Sequence, residues 1–387
     1  MKVVFNATLN HSVRMLDGQW QGVNLASDGR VYFFGGSHSA GVSAPFFRYD
    51  PAKNDIEMLA LDMTKICGED AARTPTQGKV HSDILEHRGW LYFGTHLSDY
   101  TPEGCRAYTG GHLVGYEMAT GRFRDYGVVH RNYTNYSAVG LDAPNNRVYF
   151  YATPFGVGDG PHLHVIDLAT GANRDLGLVA PWDGKGHGQP CQHLFIDSRG
   201  DCWFTLRDEH ALFVARGDTG RIERHDGILP GNSPQWFCMR RLDADRLLHI
   251  LPDGFYIFDS RRGADRKAFT LLKPASTPGL TWAYLAVDAE RFYWNSRSQK
   301  PLPQTGHHET RILSSSLASP METVDHGPIR EEAGREPWFV GDLVSDGKGR
   351  LYTAGRWYAL PEEVSTIGVN RNGLMVAVYF TVLDVTK

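Results

Sequence analysis

The chain has 387 residues and a formal net charge of -4, with 41% hydrophobic residues and 12% aromatic residues. This composition suffices for a large core, and the 42 glycines and 20 prolines favour many tight turns over long helices. There is no basic surplus for nucleic acid and no run of about 18 apolar residues to span a membrane, so neither partner is expected. Five cysteines are an odd number and few for this length, which argues against a disulfide scaffold.

The sequence leaves the cellular compartment open. Its start, MKVVFNATLN, lacks the basic segment followed by an apolar segment that marks a signal peptide. Four Asn-x-Ser/Thr sequons, at Asn6, Asn10, Asn132 and Asn135, favour export. The expectation is therefore a secreted or periplasmic protein if a leader was removed, and a cytoplasmic one otherwise.

One pattern returns along the chain at the spacing of about 40 to 60 residues that is typical of propeller blades: an apolar strand, an Asp-containing turn and an apolar-aromatic strand. Its seven copies are GVNLASDGRVYFFGG, SDILEHRGWLYFGTH, SAVGLDAPNNRVYFYAT, QHLFIDSRGDCWFTLR, CMRRLDADRLLHILP, AYLAVDAERFYWNSR and GDLVSDGKGRLYTAGR. A third strand and a polar turn follow several copies, as in HLVGYEMATGRF. The pattern predicts an all-β, seven-bladed β-propeller with four-stranded antiparallel blades, in one domain covering residues 1–387.

Strand-like segments near both termini are expected to close the ring. VFNATLN at the start and LMVAVYFTVLDV at the end could share one blade. Two packed β-sandwiches would also show short strands with regular turns, and they are the alternative architecture.

The second copy of the pattern has a histidine at each end of its hairpin. His81 begins the first strand and His96 ends the second. Because adjacent strands are antiparallel, both residues should lie at the same edge of the sheet, near the mouth of the central channel. Concave clefts of this kind commonly bind ligands. The Gly-rich loop GGSHSAG is expected at the same face, where His38 could reach a ligand or remain a solvated loop residue.

Cations and aromatic residues are predicted around this mouth. The ends of the second strands align as Gly36, His96, Thr153, Arg207, Pro252, Arg297 and Arg356. The three arginines predict a cationic rim, which suits contact with carboxylates or sulfates. The alternative is that these arginines are ordinary solvent-exposed residues, because strand ends on a surface often carry arginine. Lys79, Tyr136 and Trp236 lie at the starts of first strands, where aromatic rings can stack on sugars or pack between blades.

The segment KVHSDI…GWLYFGTH, followed by GGHLVGYEMATG, resembles the β-propeller polysaccharide lyases that cleave ulvan and related rhamnose-glucuronate glycans. The propeller α-L-rhamnosidases share this fold. The resemblance extends loosely over the whole chain as the seven-blade pattern. It implies that His81, His96 and Tyr136 are catalytic and that one of Arg207, Arg297 or Arg356 takes part. Independently of the resemblance, the cations and aromatic residues at the strand starts and ends predict that Lys79, Trp236 and the three arginines contact the substrate.

The chemistry of such an elimination fits these residue types. Cleaving a 4-linked uronate requires a base for the C5 proton, a cation for the carboxylate and a proton for the departing O4. A neutral histidine can act as the base near pH 7, arginine can hold the carboxylate, and tyrosine can supply the proton. The predicted substrate is an acidic poly- or oligosaccharide, and the protein is expected to act as a monomer with no cofactor required for catalysis.

Two other functions stay open. A glycoside hydrolase of the α-L-rhamnosidase type usually needs two carboxylates about 5 to 10 Å apart, and Asp99, Asp208 and Glu209 are on the predicted face. They form no obvious opposed pair. A non-catalytic propeller that binds glycan or protein would keep the aromatic residues and arginines but would not orient His81.

One further cluster has metal-ligand residue types. His187, Cys191 and His193 form H-x-x-x-C-x-H, with His210 further along. These residues predict a structural divalent metal, zinc or calcium, and they could equally be core residues of a strand.

Overall fold

The computed structural model describes residues 1–184, 188–207, 209–231, 239–251, 253–275, 284–298, 307–331, 334–359 and 376–386. These residues form seven antiparallel sheets, each four strands wide. In two of the sheets the innermost strand is divided into two short strands, so that these sheets contain five named strands. The prediction of a seven-bladed β-propeller is thereby confirmed. No helix among the described residues is long and apolar enough to cross a membrane.

The first three blades follow one another along the chain. Blade 1 contains β2 (Val23–Leu25), β3 (Val31–Phe34), β4 (Phe46–Asp50) and β5 (Asp55–Ala60). Blade 2 contains β6 (Lys79–Val80), β7 (Leu85–His87), β8 (Trp90–His96), β9 (Gly110–Glu117) and β10 (Phe123–Arg131). Blade 3 contains β11 (Tyr133–Thr134), β12 (Val139–Asp142), β13 (Arg147–Pro154), β14 (His162–Asp167) and β15 (Asn173–Leu178).

The remaining blades complete the ring. Blade 4 contains β16 (Phe195–Ile196), β17 (Cys202–Thr205), β18 (Ala211–Ala215) and β19 (Ile222–Asp226). Blade 5 contains β20 (Met239–Arg241), β21 (Arg246–Leu251), β22 (Gly254–Asp259) and β23 (Phe269–Pro274). Blade 6 contains β24 (Leu285–Val287), β25 (Arg291–Arg297), β26 (Thr310–Ser316) and β27 (Val324–Pro328). Blade 7 contains β28 (Pro337–Ser345), β29 (Arg350–Tyr358), β30 (Val376–Asp384) and β1 (Lys2–Thr8).

Short helices lie only in connections between the described strands. The two α-helices are α1 (Met63–Ile66) and α2 (Pro102–Ala107), and two 3₁₀ turns cover Ser260–Arg262 and Arg266–Ala268.

The recurring aspartate of the sequence pattern has a local role in the turn between the first two strands. Its carboxylate accepts hydrogen bonds from backbone N–H groups two to four residues further on, which fixes the turn. The aspartates that do this are Asp28, Asp142, Asp197, Asp243, Asp288 and Asp346. Blade 2 turns without one: Arg88 and Gly89 both have positive φ (51° and 80°), which is the geometry of a tight two-residue hairpin.

The core lies between blades and not at the centre of the ring. Between blades 1 and 2, for example, the ring centroids of Phe34 and Phe93 are 4.7 Å apart, and those of Phe46 and Tyr116 are 5.2 Å apart. These side chains are buried. Because each blade buries both faces against its neighbours, the central channel is left for polar groups.

The N-terminal segment crosses from the outside of the ring to the channel. Strand β1 is the outermost strand of blade 7 and pairs with β30, from Lys2 opposite Asp384 to Thr8 opposite Tyr379. The chain then runs inward, and Gly18 forms an isolated antiparallel bridge with Gly36. This path brings Trp20 and Gln21, which precede blade 1, into the channel.

Candidate functional site

The site lies where the innermost strands of blades 2 and 3 are interrupted. In blade 2, β6 and β7 both pair with β8, and His81 lies in the gap between them. The hydroxyl of Ser82 accepts the N–H of Gly94 there, in place of a backbone carbonyl. Because of this gap, His81 is not part of the strand pairing, and the backbone N–H of Gly94 on the neighbouring strand still has a hydrogen-bond acceptor.

Blade 3 repeats this interruption, with Tyr136 in the gap between β11 and β12. Here the side-chain amide of Asn135 donates to the carbonyl groups of Ala138 and Tyr151, at 2.8 and 3.1 Å. His81 and Tyr136 thus occupy corresponding positions in adjacent blades, and their rings stack with centroids 4.8 Å apart.

Five rings form what we call the aromatic cluster: Trp20, His81, His96, Tyr100 and Tyr136. His81 stacks on Trp20 as well as on Tyr136, with centroids 4.7 Å apart and an interplanar angle of 13° for the Trp20 pair. The ring of His96 meets His81 and Tyr136 edge-on, in both cases at 5.1 Å. The structure therefore brings His81, His96 and Tyr136 together in one cluster.

His96 is fully buried, and both of its ring nitrogens have partners. Its Nδ1 lies 2.5 Å from Oγ1 of Thr134, and its Nε2 lies 2.5 Å from the hydroxyl of Tyr100. A histidine held in this way fixes the orientation of its neighbours. His96 thereby links Thr134 of β11 to Tyr100.

Lys79 is a buried cation directly beneath this cluster. Its Nζ donates to the carbonyl oxygen of Leu97 at 3.1 Å and lies 3.8 Å from the ring centre of Tyr100. The electron-rich face of the tyrosine ring stabilises the ammonium. Burial raises the pKa of Tyr100 well above its usual value, so its hydroxyl keeps its proton near neutral pH.

Sequence reasoning did not anticipate a second polar group beside the cluster, formed by Asp17, His38 and Arg356. The Nδ1 of His38 lies 3.0 Å from each carboxylate oxygen of Asp17. Arg356 donates from Nε to the backbone carbonyl of Asp17, and its guanidinium lies 4.8 Å from the ring centre of Trp20. Trp20 thus contacts both the aromatic cluster, through His81, and the polar group, through His38 and Arg356.

The charges around His38 keep its ring neutral. Burial is the largest influence, and with Lys79 and Arg356 it lowers the pKa of His38 to about 4, although Asp17 opposes this shift. Burial raises the pKa of Asp17, but His38, Arg356 and Lys79 together outweigh it and hold that pKa below its usual value. Neutral His38 can therefore donate from Nδ1 to an ionised Asp17, which leaves Nε2 as its basic nitrogen.

The three arginines of the predicted rim occupy different environments. Arg356 is buried and packs on Trp20 and Trp338. Arg297 is exposed, 5.5 Å from the ring centre of Trp338. Arg207 is half-buried beside Tyr136. Burial raises the pKa of Tyr136 to about 12, and the charge of Arg207 opposes this shift.

Two of the predicted residues, Trp236 and His187, lie outside the described residues. Of the predicted metal ligands that are described, Cys191 directs its Sγ to the carbonyl oxygen of His193 at 3.1 Å. His193 holds the carboxylate of Asp83, with Nδ1 2.7 Å from Oδ2. The set of His187, Cys191 and His193 stays a prediction.

A hydrogen-bonded polar group lies in the channel. The side-chain amide of Gln21 donates to Asp83 and to the carbonyl groups of Ser137 and Gln192, at 3.0 to 3.2 Å, which joins blades 2, 3 and 4. Arg240 is paired with Asp342. A cavity of about 610 Å³ borders these groups and is lined by residues at the turns that end the innermost strands, including Glu86, Pro144 and Ala244.

Sequence analysis did not predict that Trp20 and Asp17 belong to the site, and only Trp20 had a sequence feature that could have indicated it. Trp20 is the only large apolar residue in DGQWQG, a segment with no strand pattern. An aromatic side chain isolated in a polar, glycine-containing loop suggests a contact elsewhere, but not with which blade. The partner of Asp17, Arg356, is 339 residues away along the chain.

No protein-family model and no curated protein matches the sequence. Many solved structures match it in shape, among them streptogramin B lyase, U3-55K and the β-propeller domain of Cps50 (Swd1) from Myceliophteria thermophila. Streptogramin B lyase is 12% identical, with a TM-score of 0.54 and 97% of each chain covered.

The other two likenesses are of the same strength. U3-55K is 11% identical at a TM-score of 0.56, with 98% of each chain covered. The Cps50 domain is 14% identical at a TM-score of 0.56, with 96% of this chain and 98% of that chain covered. At such low identity these likenesses show the propeller fold alone.

The neutral state of the half-buried His38 predicts a pH dependence of stability. As the pH falls from 6.5 towards 4, the unfolded chain protonates this histidine while the folded chain does not, so stability is lost in that window. His38→Asn should remove up to about 3 kcal/mol of this loss. Urea unfolding at a series of pH values measures it, with the exposed His11→Asn as the control. Parallel pH profiles for wild type and His38→Asn would contradict the assignment.

Proposed function

We propose that the protein is a polysaccharide lyase that cleaves a uronate-containing glycan, of the rhamnose-glucuronate or ulvan-like type, by β-elimination. The observation that carries this proposal is the stacked pair of His81 and Tyr136 at the gaps of two adjacent blades. Arg207 is electrostatically coupled to Tyr136, and Lys79 and Arg356 lie against Trp20, whose ring stacks on His81. A base, an acid and positive charge are the groups that this reaction needs.

The elimination moves two protons. The base removes the proton from C5, the electron pair of that C–H bond forms the C4–C5 double bond, and the C4–O4 bond breaks. We assign the base to His81 because a neutral imidazole has a suitable basicity near pH 7. Tyr136 is the acid that protonates O4, since its pKa of about 12 keeps its hydroxyl protonated until the leaving oxygen accumulates charge.

The carboxylate of the uronate must be neutralised as the C5 proton leaves. Arg207 is the candidate for this contact because it is half-buried and electrostatically coupled to Tyr136. Lys79 and Arg356 are buried and have partners within the protein, so they would contribute positive potential and no direct contact. Donors placed where charge develops stabilise the transition state more than the bound substrate.

His38 is a second candidate base, favoured by its pairing with Asp17. A carboxylate at Nδ1 orients the ring and leaves Nε2 as the basic nitrogen. The side chain of His38 is partly exposed, whereas His81 is buried. Its pKa of about 4 makes it a weaker base than an ordinary histidine. The assignment to His81 therefore has a direct competitor within the same site.

The hydrolase alternative is less well supported by the described carboxylates. Glu209 accepts a hydrogen bond from Gln189 at 2.8 Å and pairs with Arg224 at 2.6 Å. Asp99 accepts the N–H of Thr101, and Asp208 lies outside the described residues. A glycan-binding propeller without catalysis remains compatible with the aromatic cluster. One similar propeller is itself named a lyase, so the fold is compatible with lyase activity.

Substitutions within the cluster test the acid-base roles. His81→Ala and Tyr136→Phe should each lower kcat by about 10²- to 10⁴-fold, because each removes one proton transfer. Formation of the unsaturated uronate is followed by its ultraviolet absorbance on a rhamnose-glucuronate glycan. Tyr126→Phe, on the outer strand of blade 2, is the matched control and should retain activity. Retained activity in His81→Ala with loss in His38→Ala would move the base to His38.

The role of His96 is tested in the same assay. If His96 acts through Tyr100, then His96→Asn and Tyr100→Phe should lower kcat to a similar degree, and the double variant should be no worse than either single variant. Additive losses would contradict this positioning role.

The arginines separate an acidic substrate from a neutral one. Arg207→Gln should lower kcat, whereas Arg297→Gln should raise KM with little change in kcat, since an exposed charge attracts the substrate without contacting the reacting carboxylate. KM of the wild type should rise with salt as the Debye length falls from about 10 Å at 0.1 M to about 3 Å at 1 M. Equal behaviour of both variants and no salt dependence would remove the electrostatic basis of the proposal.

A further inference from the structure

A group of three histidines and one aspartate lies between blades 2 and 3, away from the channel. His130 is near the end of β10 in blade 2, His162 and His164 are on β14 in blade 3, and Asp175 is on the next strand, β15. One potential ligand atom from each residue lies within 4.8 Å of all the others. Residues from two blades therefore converge on one point.

The distances within this group are short. His130 Nδ1 lies 2.9 Å from His164 Nε2, and His162 Nδ1 lies 2.9 Å from a carboxylate oxygen of Asp175. The carboxylate of Asp175 is also 4.0 Å from His130 and 3.8 Å from His164. His164 is buried, and Asp175 closes the group on the solvent side.

The hydrogen bonds around His164 determine which nitrogen carries its proton. The amide of Asn173 donates from Nδ2 to the carbonyl of Val129 at 2.8 Å, so its Oδ1 must accept. Oδ1 lies 3.0 Å from His164 Nδ1, which is therefore the N–H of this ring. A neutral His164 then directs the lone pair of Nε2 at the centre of the group. This arrangement is the usual outer hydrogen bond of a metal-ligating histidine.

A second group in the chain shows a different chemistry. His112 is 2.9 Å from Asp125 through Nδ1 and 3.3 Å from Glu69 through Nε2, with Cys67 nearby. Burial opposes protonation of His112, but its hydrogen bonds to Asp125, Cys67 and Glu69 outweigh this and raise its pKa to about 12. A protonated histidine between two carboxylates needs no metal. In the His130 group, by contrast, three imidazoles converge on the carboxylate of Asp175, and a second carboxylate, Asp159, lies 3.4 Å from Nε2 of His162 at the edge of the group.

We propose that His130, His162, His164 and Asp175 bind a zinc ion that links blades 2 and 3. Imidazole nitrogens select zinc over calcium or magnesium, and three histidines with one carboxylate fill a tetrahedral shell, as in structural sites. Zinc–ligand distances of about 2.0 to 2.1 Å place tetrahedral ligands about 3.3 Å apart. The separations from His130 to His164 and from Asp175 to each of the three histidines are 2.9 to 4.0 Å, which brackets that value, and all four ligand atoms lie within 4.8 Å of one another. These residues are distinct from the set predicted from the sequence.

The position of this site suggests what the ion would do. His130 is close to the connection that leads from β10 into β11 and on to Tyr136. Thr134, in the same connection, contacts Nδ1 of His96. An ion fixing His130 to blade 3 would therefore hold the backbone that supports the aromatic cluster, without touching a ligand there.

Metal content tests the proposal independently of any activity. Tag-free protein is stripped with chelator, equilibrated with zinc chloride, passed over a desalting column and assayed for metal by mass spectrometry. We expect one zinc per chain, a Tm rise of about 5 °C at 100-fold excess over Kd, and the visible spectrum of a tetrahedral site with cobalt(II).

Variants locate the ion. His164→Asn and Asp175→Asn should each lower zinc affinity at least 10-fold and remove the Tm rise, whereas His87→Asn, outside the group, should bind as wild type. If His164→Asn fails to fold, the more exposed Asp175→Asn and His162→Asn still decide the question. Absence of retained zinc in the wild type, or unchanged binding in these variants, would overturn the proposal.

Discussion

The antiparallel pairing of Lys79 with His96 is the contact on which the candidate site depends. It places the start of the innermost strand of blade 2 beside the end of the second strand, and it ends at His81, where the ladder is interrupted. The same arrangement in blade 3 places Tyr136 next to His81. A one-residue shift in either register would turn these side chains to the opposite face of the sheet, so the cluster depends on the alternation that also buries the blade faces.

Much of the fold could be predicted because the same physical solution recurs. An aspartate that accepts backbone N–H groups fixes the hairpin in blades such as 1 and 6, and its repetition is visible in the sequence. That His81 and His96 lie at the same edge of the sheet followed from the antiparallel rule alone. The contacts of both ring nitrogens of His96 could not be predicted, because Thr134 is on the innermost strand of the next blade and Tyr100 is in the loop after β8.

The site residues that could not be predicted come mainly from the segment between β1 and blade 1. Trp20 and Asp17 reach the channel because the N-terminal strand completes the last blade and the chain then crosses inward. Alignment of strand ends placed Arg356 at the rim but could not show that Asp17 meets it there and that the arginine is buried. The histidine group at His130 was missed for a related reason: its members lie on outer strands of two blades, with no characteristic spacing.

The proposed zinc site and the aromatic cluster share one short stretch of chain. Residues from His130 to Tyr136 join the proposed zinc site to the proposed acid of the elimination, through Thr134 and its contact with His96. A zinc ion at the proposed site would therefore act on the backbone that leads to the aromatic cluster. Packing between blades, which determines the fold, also determines how precisely the aromatic cluster can be held.

The proposed elimination is tested most directly by the products that the wild-type protein forms. Ulvan, rhamnose-glucuronate chains of arabinogalactan type, pectic polysaccharides and neutral polysaccharides are incubated with it, and the oligosaccharides are analysed by mass spectrometry. The account predicts fragments from a uronate-containing glycan that end in an unsaturated uronate, one water lighter than the hydrolysis product. Saturated fragments, or binding of the glycan with no cleavage, would contradict it.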